Sequence, residues 1–252
     1  MKVYESNFNY DYPFPTVTLA YFLRYPNPYS RHVLSTDVID RYVDPETKRL
    51  HTLRLHLKKS KVPGAILALL PNGLAGPGGS SQSFILEKSV VDIKEGWMKT
   101  ESRNMEWTGI LSVIERQQFR RNASLEETVN EANPSNSTAC KTTVTFVSKL
   151  GQARAARKKA AGDASVDEPP KQGFFAAWST AGIQRTVELV GVKRTKIALI
   201  NGKEGMNVVL ERLRHGGVLE VLEGMRRDRM EMGGEGILKQ AWKDAATRSG
   251  DK

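Results

Sequence analysis

The chain has 252 residues, 39% of them apolar and 26% charged, with 38 Lys plus Arg against 28 Asp plus Glu and one cysteine. That balance excludes a chain disordered throughout and a disulfide framework, and this length buries a sizeable core in one or two domains. Cys140 alone makes neither a CxxC redox pair nor a Cys-rich zinc site. The longest clean apolar run, Ala65 to Leu70, falls far short of the roughly 18 residues of a membrane-spanning helix. Lys2 is the only cation among the first twenty residues, beside Glu5 and Asp11, so any entry into an organelle is expected to use no Arg-rich presequence.

In chain order, Val3 to Tyr10 alternates weakly and reads as a first strand. Pro13 to Arg24 places Val17, Ala20, Tyr21 and Arg24 at helical spacing and is stopped by the Pro26-Asn27-Pro28 turn. Val33 to Tyr42 and Leu50 to Leu57 alternate apolar with polar, and Ser83 to Ile93, Met98 to Glu106, Ile110 to Phe119 and Thr142 to Lys149 follow as further strands. Phe174 to Arg214 is the long helical candidate, interrupted by Gly191, Gly202 and Gly205. Each glycine costs about 1 kcal/mol against alanine in a helix, so each suggests a kink or a close approach to another backbone or a ligand.

The spacing is too tight for intervening helices, so an α+β fold is predicted. It has a curved antiparallel sheet of about seven strands, a short N-terminal helix and a long C-terminal helix, and the sheet wrapped around that last helix encloses a cavity. Residues 122–139 and 152–173 are polar or Ala/Lys/Pro-rich and read as mobile insertions in a domain of 1–214. Residues 215–252, rich in glycine, read as a loosely attached tail with a short helix or two.

The usual catalytic signatures are missing. There is no P-loop, GxGxxG, GxSxG or HExxH, and His32, His51, His56 and His215 lack zinc-site spacing. His51 and His56 are five apart on a strand and point to opposite faces. No acid/base pair stands out, so no catalytic residue, metal or cofactor is assigned and a non-enzyme is expected. The net charge of +10 is densest between residues 149 and 214, which suits either attraction to an anionic surface or ligand, or a solvated basic face. Aromatics are not interleaved with those cations, so nucleic acid is not an expected partner.

A row of cations sits in apolar surroundings instead. Arg24 closes the aromatic helix, Arg54 lies mid-strand among Leu53, Leu55 and Leu57, and Lys58, Lys59 and Lys61 end that strand. An inward Arg24 must meet either a carboxylate, with Asp37 and Asp40 as candidates, or a ligand anion; its planar fork suits phosphate. The apolar turn that starts at Val62-Pro63-Gly64-Ala65-Ile66-Leu67, followed by glycines to Gly79, is either a hinged lid that can touch a bilayer interface or a short helix packed on the core.

Several strings then resemble a known family. They are Arg24-Tyr-Pro-Asn-Pro-Tyr-Ser-Arg-His32-Val-Leu, Leu53-Arg54-Leu55, Lys58-Lys59-Ser60-Lys61-Val62-Pro63, Glu87-Lys-Ser89-Val90-Val91-Asp92 and Thr108-Gly-Ile-Leu-Ser-Val113-Ile-Glu115. Together they resemble the PRELI family of mitochondrial intermembrane-space phospholipid transfer proteins over about residues 1–119, and more loosely at Arg194 to Leu213. The strings look closer to the phosphatidic acid branch than to the slowmo-like phosphatidylserine branch, although Tyr12-Pro13 with Val17-Thr18 resembles the latter.

The resemblance implies a sheet and helices around one phospholipid, with Arg24, His32 and Arg54 at the headgroup. It implies that Lys58, Lys61, Arg194 and Lys203 line a basic entrance, and that residues 62–79 are the lid. The implied function is transfer of phosphatidic acid between mitochondrial membranes in support of cardiolipin synthesis. The implied partners are anionic membrane surfaces and a small helical-hairpin protein with twin Cys-x9-Cys motifs. Phosphatidylserine transfer, or a lipid-modifying enzyme on the same scaffold, are the alternatives. Many members carry a Trp just after the lid proline, where this chain has Gly64-Ala65-Ile66.

Overall fold

The computed structural model describes residues 1–61, 80–106, 108, 111–122, 137–148 and 180–232. Its strands are β1 (Lys2–Tyr10), β2 (Val33–Val43), β3 (Leu50–Lys61), β4 (Ser80–Asp92), β5 (Trp97–Asn104), β6 (Ser112–Arg121) and β7 (Thr138–Val147). Two helices join them, α1 (Phe14–Phe22) and α2 (Thr180–Glu231), with a 3-10 turn at Pro28–Ser30. The fold is α+β, as expected. Every neighbouring pair is antiparallel and the sheet order is β1-β7-β6-β5-β4-β3-β2. The chain therefore leaves β1 at one edge, crosses through α1 and the 3-10 turn, and restarts at β2 on the other edge.

Period-two alternation assigns the faces. On β7, Thr138, Cys140, Thr142, Val144 and Phe146 are buried while the residues between them are more open. On α1, Phe14, Val17, Thr18 and Tyr21 are buried, and Pro15 sits in the first turn where a missing N–H is tolerated. The main core joins Phe14, Val17 and Tyr21 of α1 to Val91, Met98, Phe119 and Cys140 of the sheet and to Met206, Val209, Leu210 and Val221 of α2. Burying such side chains is favourable by about 1.5–3 kcal/mol each, which clamps α1 between sheet and helix.

Two expectations are corrected. β7 begins at Thr138, so the segment expected as an insertion to 139 closes earlier, where Asn122 donates its backbone N–H to the Ser137 carbonyl at 3.2 Å and its side-chain amide to Ser137 Oγ at 2.9 Å. Residues 215–231 are not a loose tail: α2 runs on to Glu231 and is broken at Gly217, whose φ of 65° is glycine's left-handed region, while 233–252 lie outside the described residues. Arg212 donates to both Asp228 oxygens at 2.8 and 3.2 Å. A straight helix would separate those residues by about 24 Å, so the arm after Gly217 folds back along the arm before it. That arm also supplies Val221 to the core. Residues 152–173 lie outside the described residues.

Of the three glycines expected to interrupt the helix, Gly191 and Gly205 are close-approach points. A Cβ on Gly191 would meet the Phe146 ring at 2.9 Å, and one on Gly205 would meet the Asn27 amide at 2.8 Å. Asn27 cannot yield freely: its amide N–H donates to the Arg24 carbonyl at 2.5 Å and its Oδ1 accepts from the Tyr29 N–H at 2.9 Å. Gly202 faces open space. Gly205→Ala is therefore expected to lower stability by about 1 kcal/mol or more through overpacking, whereas Gly202→Ala is expected to raise it by up to about 1 kcal/mol through helix propensity. Paired urea denaturation of the two variants checks this.

Candidate functional site

Between the sheet's inner face and α2 lies a cavity of about 400 Å³. Its lower wall inverts the usual strand pattern. On β3 the inward set is Arg54, His56 and Lys58, and the leucines at 53 and 55 alternate onto the other face. Arg54 stands directly opposite Glu87 of β4 in the register, and both are nearly inaccessible, at 2% and 1% exposed. A charged pair at that depth requires complete hydrogen bonding.

Glu87 receives it from three sides. Arg54 Nε and Nη2 donate to Glu87 Oε1 at 2.9 and 2.5 Å, and Arg24 Nη2 donates to Oε2 at 2.7 Å. His56 Nε2 lies 3.3 Å from Oε2 while its Nδ1 lies 2.9 Å from Thr36 Oγ1. That network assigns the ring proton to Nε2, with Nδ1 accepting from the threonine hydroxyl. Burial by itself would raise the Glu87 pKa, yet Arg24, His56 and Arg54 together hold the carboxyl well below its ordinary range. Burial lowers His56 despite Glu87, so the imidazole stays neutral. Arg54 Nη1 also caps α1 by donating to the Phe22 carbonyl at 3.1 Å.

Two guanidiniums against one carboxylate leave positive charge in excess. Arg24 stacks over Tyr21 at 3.7 Å and over Tyr25 at 4.8 Å, and its Nε is buried with no hydrogen-bond acceptor among the described residues. The Tyr21 hydroxyl, on the same cavity wall, is likewise buried without a hydrogen bond to a described residue. His32, Lys58, Arg194 and Lys203 line the same cavity, Lys203 with its Nζ 5.6 Å from the Phe8 ring centroid. Loss of water around the ring, then the Lys58 cation, pushes the His32 pKa down to about 4, although the residue as a whole remains exposed.

The structure thus brings together Arg24, His32, Lys58, Arg194 and Lys203 from four separate stretches of chain. Arg54 is placed differently: it sits behind the wall as the support of Glu87 and does not line the cavity. The partner expected for Arg24 on β2 is also corrected, because Asp37 and Asp40 lie on exposed stretches of that strand and Glu87 takes the role. The Lys61 side chain and Val62 to Leu67 lie outside the described residues. Sequence reasoning missed Glu87, His56, Asn27 and Glu115. Glu87 left one signal, a carboxylate in phase with Ile85, Ser89 and Val91 on a single strand face.

The PRELI-like family model matches residues 15–160, more than half of the chain. The chain belongs to the PRELI-like family. It is 43% identical over 104 residues to "Protein ups1 homolog" of Schizosaccharomyces pombe, covering 41% of this chain and 56% of that protein. To "Protein UPS1, mitochondrial" of Saccharomyces cerevisiae it is 36% identical over 130 residues, covering 52% and 70%. To "Protein UPS2, mitochondrial" of the same yeast it is 34% identical over 115 residues, covering 46% and 47%. The chain thus spans only about half the length of two of these relatives. A crystal structure of Ara h 8.0201 superposes at 13% identity with a TM-score of 0.38, over 83% of this chain and 98% of that one, a likeness too low to support an argument.

Removing the Glu87 charge strands two buried guanidiniums. Glu87→Gln is expected to cost about 3–5 kcal/mol at neutral pH. Because the folded carboxyl titrates below its unfolded value, its stabilisation is present above about pH 4 and is lost as pH falls through the folded pKa. The gap in urea midpoint between wild type and Glu87→Gln should therefore narrow on acidification; a pH-independent gap counts against the network.

Proposed function

We propose that this protein is a phospholipid carrier that extracts phosphatidic acid from one mitochondrial membrane, shields it in the cavity and releases it to another across the intermembrane space. The single observation that carries this reading is the unsatisfied, buried Arg24 Nε at the wall of a cavity whose other side is apolar. A phosphate offers an acceptor with the charge and geometry that an unpaired guanidinium nitrogen needs. The volume falls within the roughly 300–1,000 Å³ of typical ligand cavities. Phe8, Val113, Phe119, Leu199 and Met206 supply apolar lining, and each acyl CH₂ removed from water is worth about 0.8 kcal/mol.

Arg24, His32, Lys58, Arg194 and Lys203 are the residues proposed to meet the headgroup, with Arg54 acting through Glu87. The mitochondrial setting is supported by the names of the two yeast relatives. A heterodimer with a twin Cys-x9-Cys hairpin protein, docking on anionic membranes and support of cardiolipin synthesis belong to the same reading on family resemblance. No bond is made or broken in the carried lipid.

Arg24→Glu is a poor test here because it would set a second carboxylate beside Glu87. Lys58→Glu and Gly202→Phe are better, since Lys58 has no ion pair with a described residue and Gly202 faces open space. Both are expected to keep the wild-type melting temperature while lowering phosphatidic acid uptake from liposomes about tenfold or more, as loss of a charged hydrogen bond or filling of the cavity requires. Mass spectrometry of the transferred lipid reads both amount and mass. Undiminished uptake in both variants overturns the site, and an altered lipid mass favours the enzyme alternative.

A further inference from the structure

We propose that Glu115 is the residue by which the cavity selects a phosphomonoester over a phosphodiester: its carboxylate accepts a hydrogen bond that only a phosphate still carrying a proton can donate. This rests on the carrier reading above and deepens it. Glu115 lies on β6 in phase with Val113, Gln117 and Phe119, and all four line the cavity. It makes no hydrogen bond and no ion pair with any described residue. Glu87 and Glu106 line the same cavity but are occupied, Glu87 by its three donors and Glu106 by the Phe84 N–H at 2.7 Å.

The charged and titratable groups around Glu115 are Lys58 of β3, Glu87 of β4, Cys140 of β7 and Arg24 beyond α1, with Arg194 and Lys203 of α2 across the cavity. Its register neighbours, Ser102 on β5 and Val144 on β7, are uncharged. Burial raises the Glu115 pKa, opposed by Lys58 and Arg24 and reinforced by Glu87. The site thus presents cations and an unpaired carboxyl group to the same incoming headgroup.

Consider what each lipid offers that acceptor. A phosphomonoester has a second pKa of about 6, so one P–O–H proton is readily held near neutral pH. With its oxygens on Arg24 and Lys58, that P–O–H donates to the Glu115 carboxylate, and the proton is shared between phosphate and carboxylate. A phosphodiester has no such proton, so it pairs with Glu115 only if the carboxyl itself takes up a proton from water, which burial favours and Lys58 and Arg24 oppose. Discrimination of this kind comes from leaving the wrong ligand's groups unpaired. Above about pH 6 the phosphomonoester is mainly a dianion, so its binding takes up a proton and weakens as pH rises.

The test compares wild type with Glu115→Gln, a near-isosteric change, by mass spectrometry of lipid taken from phosphatidylcholine vesicles doped with phosphatidic acid or with phosphatidylglycerol. Wild type should favour phosphatidic acid, and Glu115→Gln should shrink that preference by about tenfold or more, the worth of one charged hydrogen bond. Phosphatidic acid uptake by wild type should fall between about pH 6 and 8, and the variant should flatten the profile. Equal gains for both lipids in the variant mark a bulk charge effect and overturn the proposal, as does an unchanged ratio. Wild type that takes up neither lipid overturns the carrier reading itself. Titrating lipid-free protein with inorganic phosphate separates the sources: proton uptake that vanishes in Glu115→Gln keeps the pairing but assigns it to free phosphate. Thermal melting confirms that the variant is folded, and Glu115→Met, which also lacks the acceptor, should reproduce the lost preference.

Discussion

The site depends on one buried carboxylate holding more positive charge than it can neutralise. Glu87 binds Arg24, Arg54 and a neutral His56, all within hydrogen-bond distance and nearly all sealed from water. At about 4 Å and an effective dielectric near 20, each close charge pair contributes about 4 kcal/mol, which offsets part of the desolvation of two guanidiniums. Among the described residues no second carboxylate pairs with either guanidinium, and Glu115, which lines the same cavity, makes no ion pair with them. The excess is spread instead over the faces of Tyr21 and Tyr25 and over the free edge of Arg24. An interior anion site is the electrostatic complement of that arrangement.

Helix, turn and sheet cooperate to keep the excess in place. Arg54 reaches from mid-sheet to the last carbonyl groups of α1, so the strand that supports Glu87 also fixes the helix end from which Arg24 departs. Asn27 then pins the Arg24 carbonyl and starts the 3-10 turn, and Gly205 lets α2 close on Asn27 without a side chain between them. The position of one guanidinium is thereby set by β3, β4, α1 and α2 together. Such over-determination is what preorganised binding needs, since a side chain already ordered loses little entropy when its ligand arrives.

Periodicity made the architecture legible. Seven strand-like runs too close for intervening helices leave little besides an antiparallel sheet, and the seven strands and the short first helix form where the runs place them, whereas the long helix extends well past its expected end. The anion site was half legible. Arg24 stood out because a guanidinium at the end of an aromatic helix needs a partner, but the partner's identity depends on register, which single-sequence patterns do not specify. Asp37 and Asp40 are nearer in sequence, yet β2 turns them to the exposed side. On β3, unlike the neighbouring strands, the polar set Arg54, His56 and Lys58 turns inward, which alternation alone does not decide. The glycines after residue 214 looked like loosening, although one left-handed residue at Gly217 is enough to turn a helix back onto the core.

On the proposed carrier reading the protein must release as well as bind, and the cavity divides those tasks between rigid and flexible groups. Arg24 is fixed by Glu87 and by two aromatic faces, so it defines where an anion sits without following it. Lys58 and Lys203 are long, flexible cations without ion pairs to described residues, and they can travel with a headgroup toward the rim at small cost. Sealing those lysines into carboxylate pairs would deepen the site for no ligand, and adding a second fixed guanidinium would hold a phosphate too firmly to exchange. The surplus charge at the wall, with flexible cations beside it, is a compromise between capture and release of an anionic ligand.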